Sequence, residues 1–200
     1  MHLTKYASGV LGFIAAAPSS LNLFTKGPAF MRFPDATFNI TSPELGLSNS
    51  ELGKDFTADG AGFFPALNWK NHLRGVREYV LVMEDETSST GPILHGVYYG
   101  IPGVFSGLSN DDFQLENPGK GDYLLRGHFK YGLNRRKVQY VPPSPTPNQG
   151  PHRYHFQLVA LVKGIDQGRL NTPATLEDIQ REIQGKVMGW GEWIGWYERK

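Results

Sequence analysis

YVPPSPTPNQGPHRYHFQLVALV, residues 140–162, decides how the fold is read. Its first half holds five prolines, Pro142, Pro143, Pro145, Pro147 and Pro151. Each lacks an amide donor and fixes φ, so this half is excluded from helix and from any central strand and must form a stiff loop. At His152 the composition turns to aromatic and aliphatic residues through Val162, the pattern of a buried strand that follows turn residues. Side chains two apart on a strand share a face, so His152, Tyr154 and Phe156 point one way while Arg153 and His155 point the other. A metal pair built from His152 and His155 on one face is thereby excluded.

The segments around this strand read as further β structure. Residues 78–84 enclose the continuous apolar run Tyr79-Val80-Leu81-Val82-Met83, the signature of a strand covered on both faces. It leads into Glu84, Asp85 and Glu86 and then the polar loop 87–92, so the acids are either a solvated strand end or the rim of a site. Residues 94–101, LHGVYYGI, form the next strand, where alternation puts His95 on one face with Val97 and Tyr99. Shorter β segments are expected at 38–41, 56–67 and 123–129, with loops at 42–53 and 105–121 and the approach to the proline-rich stretch at 132–140. After the central strand, Thr175 and Asp178 are spaced to cap a helix, Leu176, Ile179 and Ile183 form its apolar stripe, and Gly185 ends it. The tail 187–197 alternates glycine with Trp190, Trp193 and Trp196, as in a closely packed final strand.

Near the start, Leu3, Tyr6, Val10 and Ile14 recur at helical spacing until Pro18, which reads as an amphipathic helix. A secretory signal is the competing reading, with Lys5 and Ala15-Ala16-Ala17 in its terminal zones. The 200 residues thus divide into an N-terminal helix and extension at 1–36 and one domain at 37–200. No stretch approaches the roughly 20 apolar residues of a transmembrane segment. Twenty basic against nineteen acidic residues leave a net charge of +1, which gives no reason to expect nucleic acid as a partner. Arg135, Arg136 and Lys137 read as a solvated loop.

The chain has no cysteine, which excludes disulfides, thiolate catalysis and cysteine-ligated zinc and favours a cytoplasmic protein. No serine-nucleophile elbow, zincin helix, P-loop or dinucleotide fingerprint occurs, so neither a metal nor an organic cofactor is expected. What remains is a set of polar groups at strand ends: Asp85, His95 and His152, with Tyr154 beside them. One carboxylate and two imidazoles in a common pocket would suit an anion or a proton-transfer reaction near neutral pH.

FTADGAGFFPALNW, EYVLVMED, LHGVYYGIPG, GPHRYHFQLVAL and the final GKVMGWGEW together resemble the phosphatidylethanolamine-binding protein family, its fungal members above all. The resemblance implies a mainly β fold, a large antiparallel sheet packed on a smaller one with a few peripheral helices. It also implies a pocket for phosphate-like or carboxylate anions. By motif, Asp85 matches the first aspartate of the family's D-P-D-x-P segment, His95 its pocket histidine, and His152 the histidine of G-x-H-R, with Tyr154 following by position. After Asp85, however, the expected P-D-x-P reads Glu86-Thr87-Ser88-Ser89. Some fungal relatives resemble enzymes that join maleic-anhydride monomers into maleidrides, and that class is expected here, as a cyclase with Asp85, His95 and His152 as catalytic groups acting on a small anionic metabolite. The alternative is a non-enzymatic binder of phosphatidylethanolamine or phosphate ligands, or a kinase or protease inhibitor; no protein partner is identified.

Overall fold

A computed structural model describes residues 23–70, 73–87 and 91–200. The helix or signal read over residues 2–17 therefore lies outside the described residues, as do residues 88 and 89 of the altered motif. Nine strands are hydrogen-bonded into one curled sheet: β1 (Phe38–Thr41), β2 (Ser50–Glu51), β3 (Leu67–Trp69), β4 (Glu78–Asp85), β5 (Ile93–Pro102), β6 (Gly107–Leu108), β7 (Lys130–Tyr131), β8 (His152–Leu161) and β9 (Val187–Tyr197). Their order is β6-β3-β1-β9-β8-β4-β5-β7, with β2 also beside β9. All pairings are antiparallel except β1 and β2 against β9, so the expected mainly β fold is present with parallel pairing inside the sheet, at β9. The smaller element of the two-sheet expectation is β6-β3-β1, which remains joined to the large sheet through β1.

β4 explains how one strand serves two cores. Tyr79, Leu81 and Met83 pack into a first core with Phe156, Leu158 and Trp193 and with Ile40, Leu67 and Trp69 from the smaller part of the sheet. Val80 and Val82 face a second core that is closed by Phe24, Phe30, Ile179, Ile183 and Trp190. The uninterrupted apolar run of β4 follows from this burial on both faces.

The helix α1 (Leu176–Glu182) begins with the expected capping box, in which Thr175 accepts from the Asp178 amide and Asp178 accepts from the Thr175 amide. Its Ile179, with Ile183 just beyond, closes the second core. In β9, glycine permits close strand approach: a Cβ on Gly191 would lie 2.6 Å from the Phe38 carbonyl oxygen of the parallel neighbour.

Four local expectations fail. Residues 56–66 are not a strand: a 3-10 turn at Lys54–Phe56 precedes irregular chain, and pairing starts only at Leu67. Gly62, at φ 69, and Pro65 interrupt any ladder there. Residues 123–129 form a tight turn, with Tyr123 and His128 at positive φ and the Leu125 amide donating to the Phe129 carbonyl. Leu125 and Phe129 are buried by that turn rather than by strand alternation. The predicted loops 42–53 and 105–121 are not free of strand: the first contains β2, and the second contains β6 and a 3-10 turn, Asn110–Phe113.

Candidate functional site

The start of β8 meets the end of β4, and the cavity forms there. Asp85, His95, His152 and Tyr154 all line one cavity of about 520 Å³, together with Thr87, Ile93, Arg135 and part of the proline-rich loop. That size suits a small metabolite. The loop is held from several sides: the Val141 amide donates to His95 O at 3.1 Å, Ala58 N to Pro143 O at 2.9 Å, and Asn148 N to Arg199 O at 2.9 Å. Prolines remove donors that the loop would otherwise have to satisfy, and these bonds fix the rest.

His152 Nδ1 lies 2.8 Å from Asp85 Oδ2, while Asp85 Oδ1 accepts from the Thr87 amide at 2.9 Å. Asp85 is thus committed on both oxygens, and the three-acid strand end is not solvated: Glu84 and Asp85 are buried. A carboxylate on Nδ1 holds the proton there and leaves Nε2 of His152 as the reactive nitrogen.

His95 is placed by a β-bulge. Met83 pairs with Gly96 and Glu84 with Leu94, which leaves His95 without a partner residue between them. The inserted residue breaks the alternation. Val97 and Tyr99 enter the second core, whereas His95 turns to the cavity on the opposite face, contrary to the expected shared face. Its Nδ1 is 2.7 Å from Val141 O, so Nδ1 donates, and Nε2 has no hydrogen-bond partner among the described residues. Burial pushes its pKa down from 6.5 to about 4, only partly offset by the bond to Val141. His95 is therefore a neutral acceptor at physiological pH and supplies no charge to an anion. Tyr154 stands between the two imidazoles, stacked on His152 with ring centroids 6.5 Å apart and edge-on to His95 at 5.3 Å. Burial, then the Asp85 charge, raises its phenol pKa well above the ordinary value, keeping the hydroxyl protonated.

Of the three acids read as a solvated strand end or the rim of a site, Glu86 does not line the cavity. It lies on the other side of the sheet, 3.1 Å from His155 Nε2 without hydrogen-bond alignment, and His155 Nδ1 is 2.8 Å from Glu192 Oε1. Burial alone would lower the His155 pKa, but the hydrogen bond and charge of Glu192, with the charge of Glu86, carry it above the ordinary value. Beside them, Glu84 Oε2 accepts from the Phe24 amide at 2.8 Å and from Gln157 Nε2 at 2.7 Å. Burial raises the Glu84 pKa despite these bonds.

Sequence reasoning missed Thr87, which it left in a polar loop, and Arg135, which it read as part of a solvated run. Arg135 is exposed, yet it lines the cavity. The available signal was Asn134 immediately before the basic run, since asparagine side chains close turns on nearby backbone.

Residues 42–198 match the family described as Phosphatidylethanolamine-binding protein. The chain belongs to that family. Among characterised sequences, Phomoidride biosynthesis cluster protein B of Talaromyces stipitatus is 36% identical over 181 residues, 90% of this chain and 74% of that protein. Its namesake from another fungal species is 33% identical over 199 residues, 99% of this chain and 95% of that protein. The crystal structure of a putative phosphatidylethanolamine-binding protein homologue from Chlamydia trachomatis shares the fold, with a TM-score of 0.66 at 22% identity over 83% of this chain and 100% of that one. No helix among the described residues is long and apolar enough to cross a membrane.

Proposed function

We propose that this protein acts in fungal secondary metabolism, accelerating the coupling or cyclisation of small maleic-anhydride or dicarboxylate monomers in the cavity of Asp85, His95 and His152. The supporting observation is the Asp85–His152 pair facing the same cavity as a second imidazole whose Nε2 has no hydrogen-bond partner among the described residues. The two fungal relatives, both named for phomoidride biosynthesis, support the metabolic setting. A cytoplasmic location belongs to the same proposal.

In this reading Asp85 orients His152 and holds the proton on its Nδ1. Nε2 of His152 takes a proton from the carbon next to an anhydride carbonyl, and the electron pair left behind spreads onto the carbonyl oxygens. The carbanion forms the new C–C bond to an electron-poor carbon of a second monomer, and the resulting carbanion recovers a proton from the imidazolium. His95, neutral and presenting only an acceptor nitrogen, donates nothing to the substrate's oxygens and helps to orient it by shaping the cavity wall.

Purified protein incubated with candidate anhydride monomers should form coupled product faster than a no-protein control and faster than His152→Ala. Equal rates in all three reject catalysis. An anion-binding module without turnover would then be the better account, favoured by the family's name.

A further inference from the structure

Arg135 sits on a loop that is built around one buried side chain. The Asn134 carboxamide is only 7% exposed and makes four hydrogen bonds. Its Nδ2 donates to His95 O at 3.1 Å and to Val138 O at 2.7 Å. Its Oδ1 accepts from Arg136 N at 3.1 Å and Val138 N at 3.3 Å. A buried amide satisfied in this way fixes a single loop geometry, because any other would strand its polar atoms. A merely solvated basic turn has no need of such a fixture.

The bond to the His95 carbonyl ties this loop to the bulge that delivers the cavity histidine. Of the three consecutive basic residues, only Arg135 lines that cavity; Lys137 borders a separate one and Arg136 neither. Arg135 forms no ion pair with any described acid. Asp85, the acid within the cavity, is already held by His152 and the Thr87 amide. With His95 neutral and His152 matched to Asp85, Arg135 is left as the uncompensated positive charge at the cavity.

We infer that Arg135, positioned by Asn134, is the ligand-selecting cation of this site and takes a carboxylate or phosphate oxyanion on its guanidinium. This rests on the reading of the cavity as a site for small anions, but it does not depend on turnover. The planar fork of arginine matches two oxygens of such a group at once, which lysine cannot do. Specificity for anions would thus come from a residue outside the Asp85, His95, His152 and Tyr154 set.

Isothermal calorimetry with maleate and with inorganic phosphate tests the inference on the full chain. Arg135→Gln should weaken binding of whichever anion is taken by tenfold or more, the scale of lost charge-assisted bonds. Arg135→Lys should fall between, and Arg136→Gln should match wild type. In Arg135→Gln the His95 imidazole should also titrate at higher pH by NMR, because the guanidinium charge that opposes its protonation is gone. Unchanged affinity in Arg135→Gln, or an equal loss in Arg136→Gln, overturns the inference while leaving the anion site standing. If wild type binds neither anion, the site reading and the inference both fall. Binding without coupling rejects the catalytic proposal alone.

Discussion

His95 Nδ1 is 2.7 Å from the Val141 carbonyl oxygen, and the Val141 amide donates back to His95 O at 3.1 Å. This reciprocal clamp joins the proline-rich loop to the bulge of β5. It also settles the imidazole's tautomer, since a carbonyl can only accept.

The burial of this clamped imidazole predicts a pH dependence. The unfolded chain protonates His95 near 6.5, whereas burial delays protonation to about 4 in the fold. Between these values the unfolded state binds more protons, so the contribution is complete above 6.5 and is lost as pH falls toward 4. The gap corresponds to roughly 3 kcal/mol. His95→Gln should lack it. Urea unfolding of both proteins at pH 7 and pH 4.5 checks this, and parallel stability curves would count against a buried neutral His95.

Large elements were legible in the sequence where a periodic pattern coincides with burial. The run Tyr79-Val80-Leu81-Val82-Met83 announces a two-faced strand, and Thr175 with Asp178 announces the start of α1, because each signal lies within a few residues. The faces of His152 and His155 followed from simple alternation and are as observed. His95 was misread because a single inserted residue reverses every side chain before it, and whether a bulge forms depends on pairing with β4. The sequence left open whether Glu86 rims a site, because the strands that bring it together with His155 and Glu192 are far apart in the chain. Tyr123 and His128 gave no warning of positive φ, since neither is glycine.

The tail of aromatics alternating with glycine leads to a stability prediction. Trp193 is fully buried, packs edge-on against Phe156 with ring centroids 5.3 Å apart, and donates from Nε1 to Gly46 O at 3.2 Å. Trp193→Ala should cost about 3–5 kcal/mol, as for other large aromatics removed from a core. A denaturant midpoint close to wild type would refute the packing role.

On the opposite face from the cavity, His155 lies between Glu86 and Glu192. Its raised pKa means that the fold favours the protonated form, so its contribution is complete below the unfolded value of 6.5 and is lost as pH rises through the folded value. His155→Ala leaves two carboxylates without their shared cation and should cost on the order of 3 kcal/mol at pH 6. The difference from wild type should narrow at pH 9. Thermal unfolding of both proteins across this range is the measurement, and a constant difference would mean that packing rather than charge is at stake.

The last prediction concerns the Asp85–His152 pair. Asp85 Oδ2 faces His152 Nδ1 at 2.8 Å, so Asp85→Asn puts an amide where the carboxylate fixed the tautomer. An amide NH2 facing Nδ1 favours the Nε2–H form, in which the nitrogen facing the substrate no longer accepts a proton. His152→Ala removes the acceptor altogether. Each change should lower the coupling rate by roughly 10², the scale of one positioned acid or base, while His95→Gln should act more through KM than through kcat. Both His152→Ala and Asp85→Asn should fold, since His152 is part-exposed at the cavity and asparagine keeps the shape of Asp85 and can still accept from the Thr87 amide. Circular dichroism verifies the fold, and steady-state rates at pH 7 measure the effect. If Asp85→Asn keeps the wild-type rate, Asp85 does not set the tautomer of His152 during turnover. A loss seen only in His152→Ala would then leave His152 to work without its carboxylate.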